Sequence, residues 1–113
     1  VWYTAPTALR MLMQEDLAMI KAHNTSHLHR IYSVGEPLNP EIFVWGKQVF
    51  EREIYDTWFQ SETGCIMIAN HTGQPVKVGS MGKPREGIEV SIRDDSMQTL
   101  PDGKHGHLCV TRG

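Results

Sequence analysis

Apolar and polar residues fall into blocks whose period changes past the middle of this chain. Val1-Trp2-Tyr3-Thr4 is a short aromatic and β-branched run, and Pro6 follows it. Proline suits the first turn of a helix, where its missing N–H costs nothing, with Thr4 or Ala5 at the cap. Ala8, Leu9, Leu12 and Met13 then make one apolar stripe at helical spacing. The stripe weakens at Gln14-Glu15-Asp16, and Leu17, Met19 and Ile20 predict another turn or two. Asn24-Thr25-Ser26 reads as a turn or cap. Arg30 to Val34 reads as a second strand, ended by Gly35, where glycine lets the backbone turn and approach a ligand. Asn39-Pro40-Glu41 reads as N-cap, N1 and N2 of a helix whose apolar face is Ile42, Trp45, Val49 and Phe50. Arg52 to Thr57 returns as a third strand. Strand–helix–strand–helix–strand predicts the α/β class, with a parallel βαβαβ half.

Past Gly64 the helical period is lost. Cys65 to Ala69 is a short apolar run compatible with either element, and Asn70 to Gln74 is a turn. Gly79, Gly82, Pro84 and Gly87 make an irregular loop. Ile88, Val90 and Ile92 alternate with Glu89, Ser91 and Arg93, the pattern of a half-buried strand. Leu108 and Val110 alternate with Cys109 and Thr111, predicting another. The chain is therefore expected to divide into an α/β part, 1–72, and a smaller β-rich, antiparallel part, 73–113.

Composition narrows the classes without selecting one. The chain has 113 residues, 40% hydrophobic and 21% charged, as in an ordinary globular domain. A net charge of -2 leaves no electrostatic footprint for nucleic acid or an anionic membrane. No apolar run approaches the length of a membrane span. Cys65 and Cys109 stand far apart and form no metal or redox motif, so buried free thiols in a reducing cytoplasm are expected. The first residue, Val1, already lies in a strand-like run, which is expected of an internal piece of a larger protein.

Candidate chemistry gathers at two strand exits, Gly35-Glu36 and Asp56 to Glu62, which a parallel sheet brings to one edge. In open α/β sheets ligands sit outside that edge. Tyr55 to Gly64 places Trp58 and Phe59 beside the amide of Gln60, the hydroxyl of Ser61 and the carboxylate of Glu62. A flat apolar wall beside those groups suits a planar heterocycle carrying hydroxyl or phosphate groups, or a metal. The plainer reading is a strand with core aromatics and an ordinary turn. Glu36 and Glu62 each also read as solvated loop acids. His27/His29 and His105/His107 could bind a metal adventitiously at most, lacking a third ligand. The glycine spacing around Lys83 does not fit a phosphate loop, so Lys83 reads as a surface or subdomain-contact lysine. No serine, histidine and aspartate are arranged for nucleophilic catalysis.

Asp56 to Gly64, DTWFQSETG, resembles the signature of the acetyl-coenzyme A synthetases, within the adenylate-forming (AMP-dependent synthetase and ligase) superfamily. Trp2 to Leu12 (WYTAPTALRML), Ser33 to Glu41 (SVGEPLNPE) and Gly79 to Pro84 (GSMGKP) match the same family in the same order. The resemblance implies part of the large N-terminal domain of an adenylate-forming enzyme. It implies that Gly35, Glu36 and Pro37 line the adenine, mostly through backbone and packing. Gln60 matches a residue by the adenine edge, and Asp56, Thr57 and Trp58 complete the wall. Ser61 stands where the family has threonine and keeps the phosphate-facing hydroxyl. Glu62 matches the glutamate that holds magnesium on the ATP phosphates, and a hard cation does favour a carboxylate. Val34 and Phe59 match the acyl pocket, and Ala5 matches a small residue beside the coenzyme A tunnel.

Phe59 replaces a tryptophan usual in acetate-specific members, which leaves propionate open. The implied substrates are acetate or propionate, ATP and coenzyme A, with Mg2+ and no nucleic acid or membrane partner. The family's phosphate loop, ribose-gripping aspartate, hinge and C-terminal lysine are not among these residues, so the piece alone is expected to be inactive. The alternatives are a non-catalytic binding or interaction module and a ligase for a longer carboxylic acid.

Overall fold

The computed structural model describes residues 1–112. Its contacts divide the chain into two units, Val1–Lys83 and the residues from Pro84 onward. The first runs β1 (Trp2–Thr4), α1 (Pro6–Leu12), α2 (Leu17–Lys21), β2 (Ile31–Ser33), α3 (Pro40–Phe50), β3 (Ile54–Trp58) and β4 (Ile68–Ala69). A short β5 (Lys83–Pro84) spans the junction, and β6 (Glu89–Arg93) and β7 (His107–Arg112) belong to the second unit.

β1, β2 and β3 are parallel, with Trp2, Ile31 and Ile54 in one cross-strand row and Thr4, Ser33 and Asp56 in another. Both rows share a face, because side chains alternate along a strand. Onto that face pack Leu9 of α1 and Ile42 and Phe43 of α3, forming with Ile31, Ile54 and Leu38 the buried core. Each fully buried aliphatic side chain contributes about 1.5–3 kcal/mol. The intervening row, Tyr3, Tyr32 and Tyr55, lies on the opposite face, with ring centroids 6.3 and 5.6 Å apart. β4 joins β3 antiparallel, pairing Thr57 with Ala69 and Trp58 with Ile68. The α/β class and the parallel βαβαβ half are as the periodicity predicts, and β4 makes the sheet mixed.

Local rules account for the helix starts. Ala5 is the N-cap of α1 with Pro6 behind it, Asp16 caps α2 by accepting from the Ala18 N–H at 2.8 Å, and Pro40 opens α3. α3 departs from its predicted face. Its buried line is Ile42, Phe43 and Gly46, while Trp45, Val49 and Phe50 are only half-buried. The cause is Gly46: a Cβ there would overlap the side chain of Ile54, so α3 meets β3 through a bare backbone. Trp45 and Phe50 instead meet edge to face at 5.5 Å.

Two further expectations are corrected. The first unit does not end at residue 72: residues 73–83 stay with it, because Asn70 bonds Ser80 and Gly82 lies tight against Ala69. Cys65 is exposed and Cys109 half-buried, rather than both buried, since Cys65 directly follows the Gln60–Gly64 turn.

In the second unit β6 and β7 form an antiparallel ladder with a bulge at Glu89/Val90. The link between them is tightened by Asp94, whose Oδ1 accepts from the N–H groups of Ser96 and Gln98, both at 2.9 Å. His105 precedes β7, and the His107 ring bonds Asp95 at 2.8 Å, so this histidine pair is not arranged as two ligands of one ion.

Candidate functional site

The parallel strands β1, β2 and β3 present their C-terminal ends at one edge of the sheet, and an open cleft of about 750 Å3 lies there. Three stretches line it: the turn Gly35 to Leu38 after β2, the residues Asp56 to Gln60 at the end of β3, and Lys77 to Met81. Gly35 opens the first wall at φ 91°, a conformation that glycine adopts without strain.

Beneath the cleft is a buried polar network. Asp56 Oδ1 accepts from the Ser33 hydroxyl at 3.3 Å and the Thr57 N–H at 3.0 Å. Burial pushes the Asp56 carboxyl above the usual carboxylate range, opposed by hydrogen bonds from Thr57, Ser33 and the Leu38 N–H. The Thr57 hydroxyl donates to the Ser33 carbonyl at 2.7 Å. Its lone pairs are then free for the Tyr3 hydroxyl, which donates to it at 2.9 Å. Asn70 completes the set: its Oδ1 accepts from the Asp56 N–H at 2.7 Å, and its Nδ2 donates to the Ser80 carbonyl at 3.0 Å. No buried side-chain polar atom among the described residues lacks a partner, so the floor is rigid.

Glu36 lies along the cleft, but its carboxylate is held by α1. Thr7 Oγ1 donates to Oε1 and Arg10 Nη2 to Oε2, both at 2.6 Å. These bonds, Thr7's first, hold its pKa below the usual carboxylate range. The first wall therefore offers backbone and the ring of Pro37 rather than a free charge. In the second wall Trp58 is half-buried and Phe59 is exposed. Gln60 to Gly64 closes into a turn, with the Thr63 hydroxyl accepting from the Gln60 N–H at 3.0 Å and donating to its carbonyl at 2.8 Å. Ser61 and Glu62 stand exposed on that turn. Among the described residues no three His, Cys, Asp or Glu side chains converge on a metal position. A cation at Glu62 would take its other ligands from water and a bound ligand.

The AMP-binding enzyme family matches residues 1–113. This chain belongs to that family. It is 45% identical over its whole length to the acetyl-coenzyme A synthetase of Bacillus subtilis (strain 168), of which it spans 20%. It is 40% identical over 111 residues to the acetyl-coenzyme A synthetase of Methanothrix thermoacetophila, of which it spans 17%. The chain thus covers about a fifth of the length of these curated relatives. Among solved structures, the anthranilate CoA ligase AuaEII in complex with anthranoyl-AMP matches 96% of this chain with a TM-score of 0.82 and 29% identity. A benzoate CoA ligase from Burkholderia xenovorans LB400 matches 94% with a TM-score of 0.80 and 31% identity. The chain covers 20% and 21% of those two structures.

In this chain, Gly35, Glu36, Pro37 and Asp56 to Gln60 all line the one cleft, whereas Val34, Ser61, Glu62 and Ala5 do not. Val34 is half-buried below the first wall, its N–H bonded to the Thr4 carbonyl at 3.0 Å. Ala5 is half-buried at the start of α1. Sequence reasoning missed the third wall, Lys77 to Met81, and the buried partners Tyr3, Ser33 and Asn70. The third wall left one trace, the Gly79-Ser80 pair within the matched GSMGKP.

Proposed function

We propose that the whole protein is an AMP-forming acetate (short-chain acyl)–coenzyme A ligase, to which this chain contributes the adenine wall, part of the acyl pocket and the magnesium-binding glutamate. The observation that carries this reading is the gathering of Gly35 to Pro37 and Asp56 to Gln60 around one cleft at the carboxyl edge of parallel strands. The relatives named acetyl-coenzyme A synthetase support the choice of acid.

In the proposed reaction an acetate oxygen bonds to the α-phosphorus of ATP and pyrophosphate leaves, giving acetyl-AMP. The coenzyme A sulfur then bonds to the acetyl carbon and AMP leaves. The Gly35–Pro37 backbone and Trp58 would flank the adenine, and Gln60 would meet its edge. Asp56 and Thr57 would hold those walls in place from below, and Ser61 would bond a phosphate oxygen. Val34 and Phe59 would bound the acid, and Ala5 would border the entry of coenzyme A. Positioning of this kind supplies much of the acceleration in a reaction between two bound substrates.

An exposed carboxylate on a turn beside the exposed Ser61 hydroxyl fits magnesium, which keeps several waters and takes one or two carboxylates plus phosphate oxygens. Glu62 would hold it, and the ion would neutralise phosphate charge when bound. Among the described residues no helix is long and apolar enough to cross a membrane. The reading takes the protein as a cytoplasmic enzyme of small molecules.

The test is ATP–pyrophosphate exchange by the whole protein, with acetate, propionate, butyrate and benzoate in turn. Acetate- or propionate-dependent exchange is expected. Exchange with the larger acids alone would favour the second reading, a ligase for a longer or aromatic acid, which the names of the two solved relatives and the smaller ring of Phe59 support. No exchange with any acid would leave a non-catalytic binding module.

A further inference from the structure

Two walls of the cleft arrive from separate parts of the chain. Asp56 to Gln60 continues β3, and Lys77 to Met81 belongs to the irregular segment after β4. One side chain touches the backbone of both. Asn70 is buried, accepts from the Asp56 N–H at 2.7 Å through Oδ1 and donates to the Ser80 carbonyl at 3.0 Å through Nδ2. Its own N–H donates to the Asp56 carbonyl at 2.9 Å, which fixes the residue against β3 before its side chain reaches outward. The segment it reaches is itself braced. The Ser80 N–H donates to the Lys77 carbonyl at 3.0 Å, and the Gly82 N–H donates to the Ser80 hydroxyl at 3.2 Å. Gly82 has φ 99° and sits so close to the Ala69 carbonyl and the Asn70 nitrogen that a Cβ would overlap them. The amide of Asn70 is planar and short, so the Asp56 and Ser80 backbones have one preferred separation.

We infer that Asn70 is a positioning residue, a strut that sets the distance between the β3 wall and the Lys77–Met81 wall and so the width of the cleft. It does not line the cleft. Its effect on a ligand rests on the proposed nucleotide reading of the cleft; its effect on the walls does not. Asparagine suits the place because one side chain must both accept and donate. Aspartate keeps the acceptor for Asp56 and loses the donor for Ser80, and alanine loses both without adding charge.

The experiment measures amide hydrogen exchange and AMP affinity in the whole protein carrying Asn70→Asp or Asn70→Ala. Exchange at Ser80 and Gly82 is expected to rise about 10-fold, the scale of one lost buried hydrogen bond, while amides of β2 and α3 keep their wild-type rates. AMP binding by calorimetry is expected to weaken by a similar factor. Unchanged exchange at Ser80 and Gly82 in the variant that folds would overturn the strut. Equal opening of β2 and α3 would overturn it too, making Asn70 an ordinary core residue. Loosened walls with unchanged AMP affinity would uphold the strut and count instead against the cleft as the nucleotide site.

Discussion

At the scale of single residues, the structure gives different surroundings to the two glutamates that could each also be read as a solvated loop acid. Glu36 is bound to Thr7 and Arg10, while Glu62 is exposed on its turn. Glu62→Gln in the whole protein is expected to slow acetyl-AMP formation about 100-fold, the scale of one positioned electrostatic group. The denaturation midpoint should hardly move, because an exposed carboxylate contributes little to stability. Stopped-flow adenylation beside a urea melt checks both halves, and an unchanged rate would return Glu62 to an ordinary loop acid. Glu36 has the reverse profile. Its folded pKa is depressed, so its ion pair stabilises the fold above the ordinary carboxylate range, and that contribution is lost as pH falls through the depressed value. Melts of wild type and Glu36→Gln across the acid range should differ near neutrality and converge at low pH. Asp56 runs the other way: its raised pKa makes its contribution greatest in acid and smaller as pH rises through the folded value. Phe59 lines the cleft and is 37% exposed. Phe59→Ala is expected to shift kcat/KM about 10- to 100-fold toward butyrate and valerate, since each buried methylene contributes about 0.8 kcal/mol. Phe59→Trp should sharpen the choice of acetate over propionate, and an unchanged ranking across these acids would remove Phe59 from the acyl pocket.

At the scale of elements, α3 and β3 meet at Gly46 and Ile54, and that contact can be tested alone. Gly46→Ala gains helix propensity of about 1 kcal/mol, but overpacking a closed core costs about 1–3 kcal/mol, so a net loss of about 1 kcal/mol is expected. Ile54→Val removes the Cδ1 that the new methyl would strike. The double variant should therefore lose less stability than the two single variants added together, as read from denaturation midpoints. The same contact shows what was legible in the sequence. The order and type of elements followed from the helical stripes at Leu9, Leu12 and Met13 and at Ile42, Trp45 and Val49, and from the short apolar runs around Ile31 and Ile54. The face of α3 did not, because a glycine is invisible to a hydrophobic pattern even where it is the closest contact. The first two walls of the cleft were legible because each begins where a strand runs into a glycine or a polar turn. The third was not, because Lys77 to Met81 has no period, and it is held by Asn70, a residue that reads locally as the start of a turn.

At the scale of the whole molecule, the chain spans about a fifth of its relatives, and the phosphate loop and C-terminal lysine that the family resemblance calls for are not among its residues. The isolated 113-residue chain is accordingly expected to give no acetate-dependent ATP–pyrophosphate exchange above a blank. Exchange that survived Glu62→Ala would mean that the essential groups had been assigned to the wrong residues. The sheet has a last consequence, which concerns how the chain comes to be folded. Its strands lie side by side as β1-β2-β3-β4-β5, the order in which they are made. Pairings that must wait for distant sequence are slow and exposed to aggregation. In this sheet no strand has to wait for a later one to fill a gap beside it. Each strand can pair with the one made just before it, so the Ser33–Asp56 pairing at the floor of the cleft needs no sequence from the later wall that Asn70 braces.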